Sequence, residues 1–170
     1  MPEPVIIVDY DLHWPDLFEA LRAPVVAVLG DLVIVVEHIG STAVPGLAAK
    51  PIIDMDVVVP SVADIPEAIR RLASLGYVHR GDLGIAGREA FTAPAGKPGH
   101  HLYLCALGSE ELRRHRSFRD YLLTHPDEAR AYEALKKAAA LRFADDRAAY
   151  NEAKSGFVEA VLQRASSGGG

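Results

Sequence analysis

The spacing of apolar positions changes several times along the chain, and each change marks an element. Val5–Val8 is a short β-branched run and predicts a strand. From Trp14 the period becomes helical. Trp14, Phe18, Leu21, Val25 and Val28 share one face, Pro15 suits the first turn and Gly30 the end. Pro24 inside this run predicts a kink or a split. Val33–Ile39 reads as a strand, Gly40–Pro51 as irregular, and Ile52–Val59 as a second strand bounded by Pro51 and Pro60. Asp64–Leu75 predicts a helix with Ile65, Ile69, Leu72 and Leu75 inward and Gly76 after it. Residues 80–99, with Gly81, Gly84, Gly87, Gly96, Gly99, Pro94 and Pro98, predict turns around a short strand at Phe91–Ala93. His100–Leu107 closes the set of strands.

The rest of the chain reads as helical. Ser109 with Glu110 and Glu111 opens a helix through Leu123. Thr124 and Asp127, beside Pro126, predict a capping-box restart. Tyr132, Leu135, Ala139 and Phe143 form the next inner stripe. Asp145 is the expected cap of a last helix with Tyr150, Phe157 and Val161 inward, and residues 166–170 predict a disordered tail. The order predicts an α/β (α+β) fold: a mixed β-sheet flanked by helices in residues 1–108, with C-terminal helices, 109–165, packed on it.

Composition narrows the class. The chain has 170 residues, 49% hydrophobic and 24% charged, enough to bury a core. No apolar run reaches the ~20 residues of a membrane span. Met1-Pro2-Glu3-Pro4 lacks the basic start of a secretory signal, so a cytoplasmic location is expected. The lone Cys105 sits in an apolar run and reads as core. A net charge of −5 argues against gripping nucleic acid. Residues 1–108 carry 7 Lys/Arg against 13 Asp/Glu, and residues 109–170 carry 11 against 10. An acidic first part facing an Arg-rich second suits a metal site opposite phosphate-binding helices, and equally suits helices with solvated, paired charges.

Chemistry concentrates between Glu37 and Asp56. In the strand Ile52–Val59 only Asp54 and Asp56 are polar, and alternation puts them on one face, about 7 Å apart. Two carboxylates on a buried strand cost several kcal/mol unless neutralised. A hard cation, Mg²⁺ or Mn²⁺, would neutralise them; so would Lys or Arg partners at an exposed strand end. Gly40-Ser41-Thr42 follows a strand, where backbone N–H groups and hydroxyls cradle a phosphate, or simply turn the chain.

The string His38-Ile-Gly-Ser-Thr-Ala-Val-Pro-Gly-Leu47, then Lys50-Pro51 and Asp54-Met-Asp56, resembles the hallmark of the GrpB family. So do His100-His-Leu-Tyr-Leu104, Phe118-Arg-Asp-Tyr-Leu122, Tyr132 with Leu135-Lys136, and Tyr150 with Lys154. The resemblance runs from about Val8 to about Val161. It implies a nucleotidyltransferase-like fold, since Gly-Ser followed by Asp-x-Asp on the next strand is the mark of that superfamily. By that resemblance Asp54, Asp56 and His101 are the candidate catalytic residues. His38, Gly40, Ser41, Thr42, Lys50 and Arg88 are the candidates for nucleotide binding. Asp54, Asp56 and Glu89 are the candidates for metal. The superfamily takes a third carboxylate from a later strand, and His100–Leu107 has none; Glu89 stands in for it or is merely solvated. His101 is a ligand, a base or a hydrogen-bonded strand-end residue, and His38 orients Ser41 or serves structure. Arg119 with Asp120, Lys136 and Lys154 read as internal pairs or as site residues. Some relatives carry a dephospho-CoA kinase domain; this chain has no Gly-Lys-Ser/Thr loop, so that activity is not carried over.

Three functions stay open at this point. The first is nucleotidyl transfer from a nucleoside triphosphate to an unidentified hydroxyl acceptor. The second is nucleotide or metabolite binding on the same fold without turnover, and the third is an interaction protein without nucleotide. A homo-oligomer is compatible with each.

Overall fold

The computed structural model describes residues 4–168. Five strands form one sheet in the order β1-β2-β5-β4-β3: β1 Val35–Ile39, β2 Ile53–Val59, β3 Val78–His79, β4 Glu89–Thr92 and β5 His100–Ala106. β2 and β5 run parallel and the other neighbours antiparallel. Helices α1 Trp14–Leu29 and α2 Ile65–Ala73 precede α3 Glu110–Thr124, α4 Pro126–Arg142 and α5 Arg147–Ser167. The mixed sheet with helical cover is the expected class. No described helix is long and apolar enough to cross a membrane.

Register explains the layering. Ile53, Met55, Val57 and Val59 of β2, with Leu102 and Leu104 of β5, point to one face and pack under Trp14, Leu21, Val25 and Leu29 of α1 and Ala68 and Leu72 of α2. Asp54 and Asp56 point to the other face, beside Ile39 and Glu37 of β1 and His101 and Tyr103 of β5. On that face α3 is tied to β1, where Arg116 and Arg119 both pair with Glu37. α4 and α5 lie alongside α3 and close over the segment after β1.

Several local expectations change. Val5–Val8 is not a strand. Val8 makes one bridge to Ala49, and Val5 N–H bonds Ala144 O after α4, so the run pairs with loops and not with the sheet. α1 runs unbroken through Pro24; Ala20, whose carbonyl loses its partner, is exposed and can turn to water. Gly30 does end the helix, at φ 58°. Val78–His79 adds an edge strand just before the stretch read as turns. α4 starts after His125 with Pro126 in its first turn and no side-chain cap. α5 is capped by Asp146, which accepts from Ala149 N–H, and not by Asp145. That helix continues through Ser167, so the expected tail is helical at residues 166 and 167; Gly169 and Gly170 lie outside the described residues.

Candidate functional site

A cleft of about 420 Å³ opens over the N-terminal ends of β2 and β5, floored by Asp54, His101 and Tyr103 and walled by α3, α4 and α5. Asp54 reaches the cleft, and Asp56 lies buried behind it. Asp54 Oδ1 meets His101 Nδ1 at 2.8 Å. Asp56 is fully buried, and its Oδ2 meets His115 Nδ1 of α3 at 2.7 Å. The other ring nitrogen of His115 lies 3.0 Å from Glu111 Oε1. A chain Glu111–His115–Asp56 therefore crosses from helix to strand. Burial lifts the Asp56 carboxyl above the usual range, although His115 pulls it back. Burial lowers the His115 imidazole, and the Asp56 hydrogen bond and charge outweigh it, leaving it above its ordinary value. Asp56 Oδ1 has no hydrogen-bond partner.

One end of the cleft is made by the segment after β1. Gly40 has φ 75°, and a Cβ there would come 2.5 Å from Asp54 Oδ2, so only glycine lets this backbone lie against the carboxylate. Ser41–Ala43 then forms a single 3-10 turn. Lys136, reaching in from α4 and almost wholly buried, donates to Ser41 Oγ at 2.9 Å and to Ala48 O at 2.6 Å. From the adjacent helical turn Glu133 accepts the Ala48 N–H at 2.6 Å. Nearby the Tyr150 ring meets both Lys50 Nζ, 5.0 Å from its centre, and Lys154 Nζ, at 4.7 Å. Burial, then Lys154, lowers Lys136 to about 7; burial, then Lys50, lowers Lys154 to about 8. Lys50 is also lowered, by burial and Arg147. Among the described residues none of Lys50, Lys136, Arg147 and Lys154 has a carboxylate within ion-pair distance. One buried lysine, two half-buried ones and an exposed arginine thus line this side of the cleft without carboxylate partners.

The other end holds Arg88, just before β4. Its guanidinium lies over the Tyr103 ring, 4.4 Å from the centre. The strand order places it across β2 and β5 from Gly40 and Ser41, with the aspartates between.

The candidates from sequence thus sort themselves. Asp54, Gly40, Ser41, Thr42, Lys50 and His101 come together in the cleft, Asp56 lies buried on the same sheet face without lining it, and Arg88 is set apart from the others. Glu89 does not join the aspartates. It pairs in register with Leu104, which fixes its side chain on the opposite face, where its carboxylate bonds His79. His38 also points away, since it is paired with Met55. It stacks on Phe18, bonds Thr42 Oγ1 at 2.9 Å, and is pushed down to about 4 by burial, so it steadies the turn from beneath in its neutral form. Arg119 holds Glu37 and Asp120, as an internal network would. The sequence reading did not single out His115, and it took Glu111 only as an acidic residue at a helix start. Lys136 and Lys154 did carry a signal, because each follows a stripe tyrosine by four residues and so shares its buried face.

Known proteins resemble this chain along nearly its whole length. The GrpB family model, described as GrpB protein, matches residues 4–164. The UPF0157 protein YqkA of Bacillus subtilis is 35% identical over 95% of this chain. The glutamate-rich protein GrpB of Alkalihalophilus pseudofirmus is 33% identical over 93% of this chain and 94% of its own length. The chain spans 47% of YqkA, about half of that relative. A crystal structure of conserved protein GrpB from Enterococcus faecalis superposes with a TM-score of 0.85 at 33% identity, covering 94% of this chain and 96% of that one.

Proposed function

This chain belongs to the GrpB family, and on that premise we propose that it binds a nucleoside triphosphate with Mg²⁺ or Mn²⁺ and transfers the nucleotidyl group to a hydroxyl acceptor. The observation that carries the reading is the pairing of Asp54 and Asp56 on one sheet face with a cluster of cations that have no carboxylates of their own. Lys50, Arg147, Lys154 and the Gly40–Ser41 backbone are the groups suited to the triphosphate, and Lys136 holds Ser41 toward it. His101 fixes the orientation of Asp54.

The donor set suits a hard divalent ion. Asp56 Oδ1 is buried without a partner, an expense that a bound cation removes. Among the described residues no group of three or more His, Cys, Asp or Glu side chains is arranged for a metal. Two carboxylates suffice for Mg²⁺ when water and substrate phosphates complete its shell. When bound, such an ion stabilises the charge that develops on the phosphates. The reading carries a cytoplasmic location, where nucleoside triphosphates are plentiful.

A second reading, binding without turnover, is favoured by one observation: each aspartate already has a histidine partner, and the third carboxylate on their face, Glu37, is held by Arg116 and Arg119. Pyrophosphate release decides. Each nucleoside triphosphate is supplied with Mg²⁺ and a panel of hydroxyl compounds, with Asp56→Asn as the blank. Release by wild type that vanishes in the blank supports transfer. Nucleotide binding with release no greater than the blank supports the binding module. Absence of any nucleotide binding overturns both.

A further inference from the structure

The far end of the cleft contains a cation that the triphosphate end does not need. Arg88 and Ser41 flank the aspartates from opposite sides: the sheet order runs β1, β2, β5, β4, with Ser41 following β1 and Arg88 preceding β4. Strands about 4.8 Å apart put β1 and β4 roughly 14 Å from one another. That distance is too far for one phosphate to use both ends at once.

Arg88 is also held ready. Tyr103, whose ring it covers at 4.4 Å, projects from the same face as Asp56 and fixes the plane of the guanidinium. Its Nε is buried with no hydrogen-bond partner, and among the described residues no carboxylate lies within ion-pair distance of it. A planar fork with an unsatisfied buried donor, opening on a cleft, matches the two oxygens of a carboxylate or phosphate. Glu111, the acid on that side, is occupied by His115 and Arg114. The loop before Arg88 turns at Gly84 and Gly87, with φ 83° and 89°.

We propose that Arg88 is the anion-binding residue of the acceptor subsite, so that the acceptor is a small hydroxyl compound carrying a phosphate or carboxylate. The inference rests on the nucleotidyl-transfer reading for the role of the subsite, but the anion site itself does not depend on it. In the reaction the acceptor hydroxyl oxygen forms a bond to the α-phosphorus and the bond from that phosphorus to the β-phosphate oxygen breaks. Pyrophosphate departs with the bonding electrons, and the hydroxyl proton passes to water. Arg88 takes no part in the bond changes; it positions the acceptor on the side of the aspartates away from the leaving group.

The test separates the two ends by titration calorimetry on the full chain. Glycerol 3-phosphate and glycerate are the anionic probes, glycerol is the neutral one, and a nonhydrolysable nucleoside triphosphate with Mg²⁺ probes the lysine end. Wild type, Arg88→Gln, Arg88→Lys and Lys154→Gln are compared. The expected result is that Arg88→Gln weakens at least one anionic probe roughly tenfold or more and leaves the triphosphate unchanged. Lys154→Gln should show the reverse pattern, and Arg88→Lys should recover only part of the loss, since it keeps the charge without the fork. The two anionic probes show whether phosphate or carboxylate is preferred. The proposal is overturned if neither anion binds, if Arg88→Gln binds both as wild type does, or if Arg88→Gln weakens the triphosphate as much as the probes. Loss of triphosphate binding in every protein, with Arg88-dependent anion binding intact, would sink the transferase reading and keep the anion site. If pyrophosphate release is seen, only anionic acceptors should support it, and Arg88→Gln should raise their KM while sparing that of the nucleotide.

Discussion

The two faces of β2 are built from alternate residues of one seven-residue strand, and they obey different rules. Ile53, Met55, Val57 and Val59 are wholly buried against α1, α2 and β5, where any hydrophobic side chain of suitable volume would serve. Asp54 and Asp56 on the other face are held by histidines from β5 and α3, and one oxygen is left without a partner. The apolar face gains free energy from every contact it makes. The polar face keeps two carboxylates close together at a cost that the fold must carry. Stability and chemistry are thus separated by a rotation of half a turn along the strand.

The comparison is most easily broken at Val57. Val57→Asp adds an unpaired charge to the apolar face and should cost about 4 kcal/mol or more, enough to lose the cooperative thermal transition. Asp56→Asn, one residue away, should keep that transition. A folded Val57→Asp protein would show that the two faces do not differ as described. A smaller effect is expected at Gly40, where the Cβ of Gly40→Ala would press on Asp54 Oδ2 at positive φ. A loss of about 1–3 kcal/mol of stability, with a proportionally larger loss of triphosphate affinity, would place the strain in the site. Equal affinity in the folded variant would count against the turn as a phosphate cradle.

The most diagnostic effect is in pH. An unfolded Lys136 keeps its proton to near 10.5, while the folded one gives it up near about 7. Between those values the unfolded chain binds more protons, so this lysine makes stability rise with pH from about 7 upward. Lys136→Met should flatten that rise in denaturant titrations from pH 6.5 to 9. His38 acts at the other end. Its folded value of about 4 against 6.5 removes stability as pH falls through that interval.

Much of this was legible in the sequence. The alternation in Ile52–Val59 fixes which residues line which face, and the Gly40–Thr42 segment is where the chain must turn. The same alternation applied to β1 would have placed His38 on the apolar face, one residue from Ile39, which lines the cleft. Glu89 could not be placed, because its face depends on the register of β4 against β5, and local pattern does not specify that pairing. His115 could not be found either. It is separated from Asp56 by 59 residues, and its neighbours are arginines of a solvated helix. The partnership exists only in three dimensions.

Glu133 and Lys136 treat the backbone of Ala48 as a neighbouring strand would: one side chain accepts its N–H, the other donates to its C=O. A helix thereby supplies, through two side chains, the ladder rung that this segment lacks on that side. The Ala48 amide is accordingly a local gauge of whether α4 is seated. In hydrogen exchange it should open with the separation of α4 from the rest of the molecule and not with the fraying of the sheet. A nucleotide that draws α4 and α5 inward would slow its exchange before any strand amide responds.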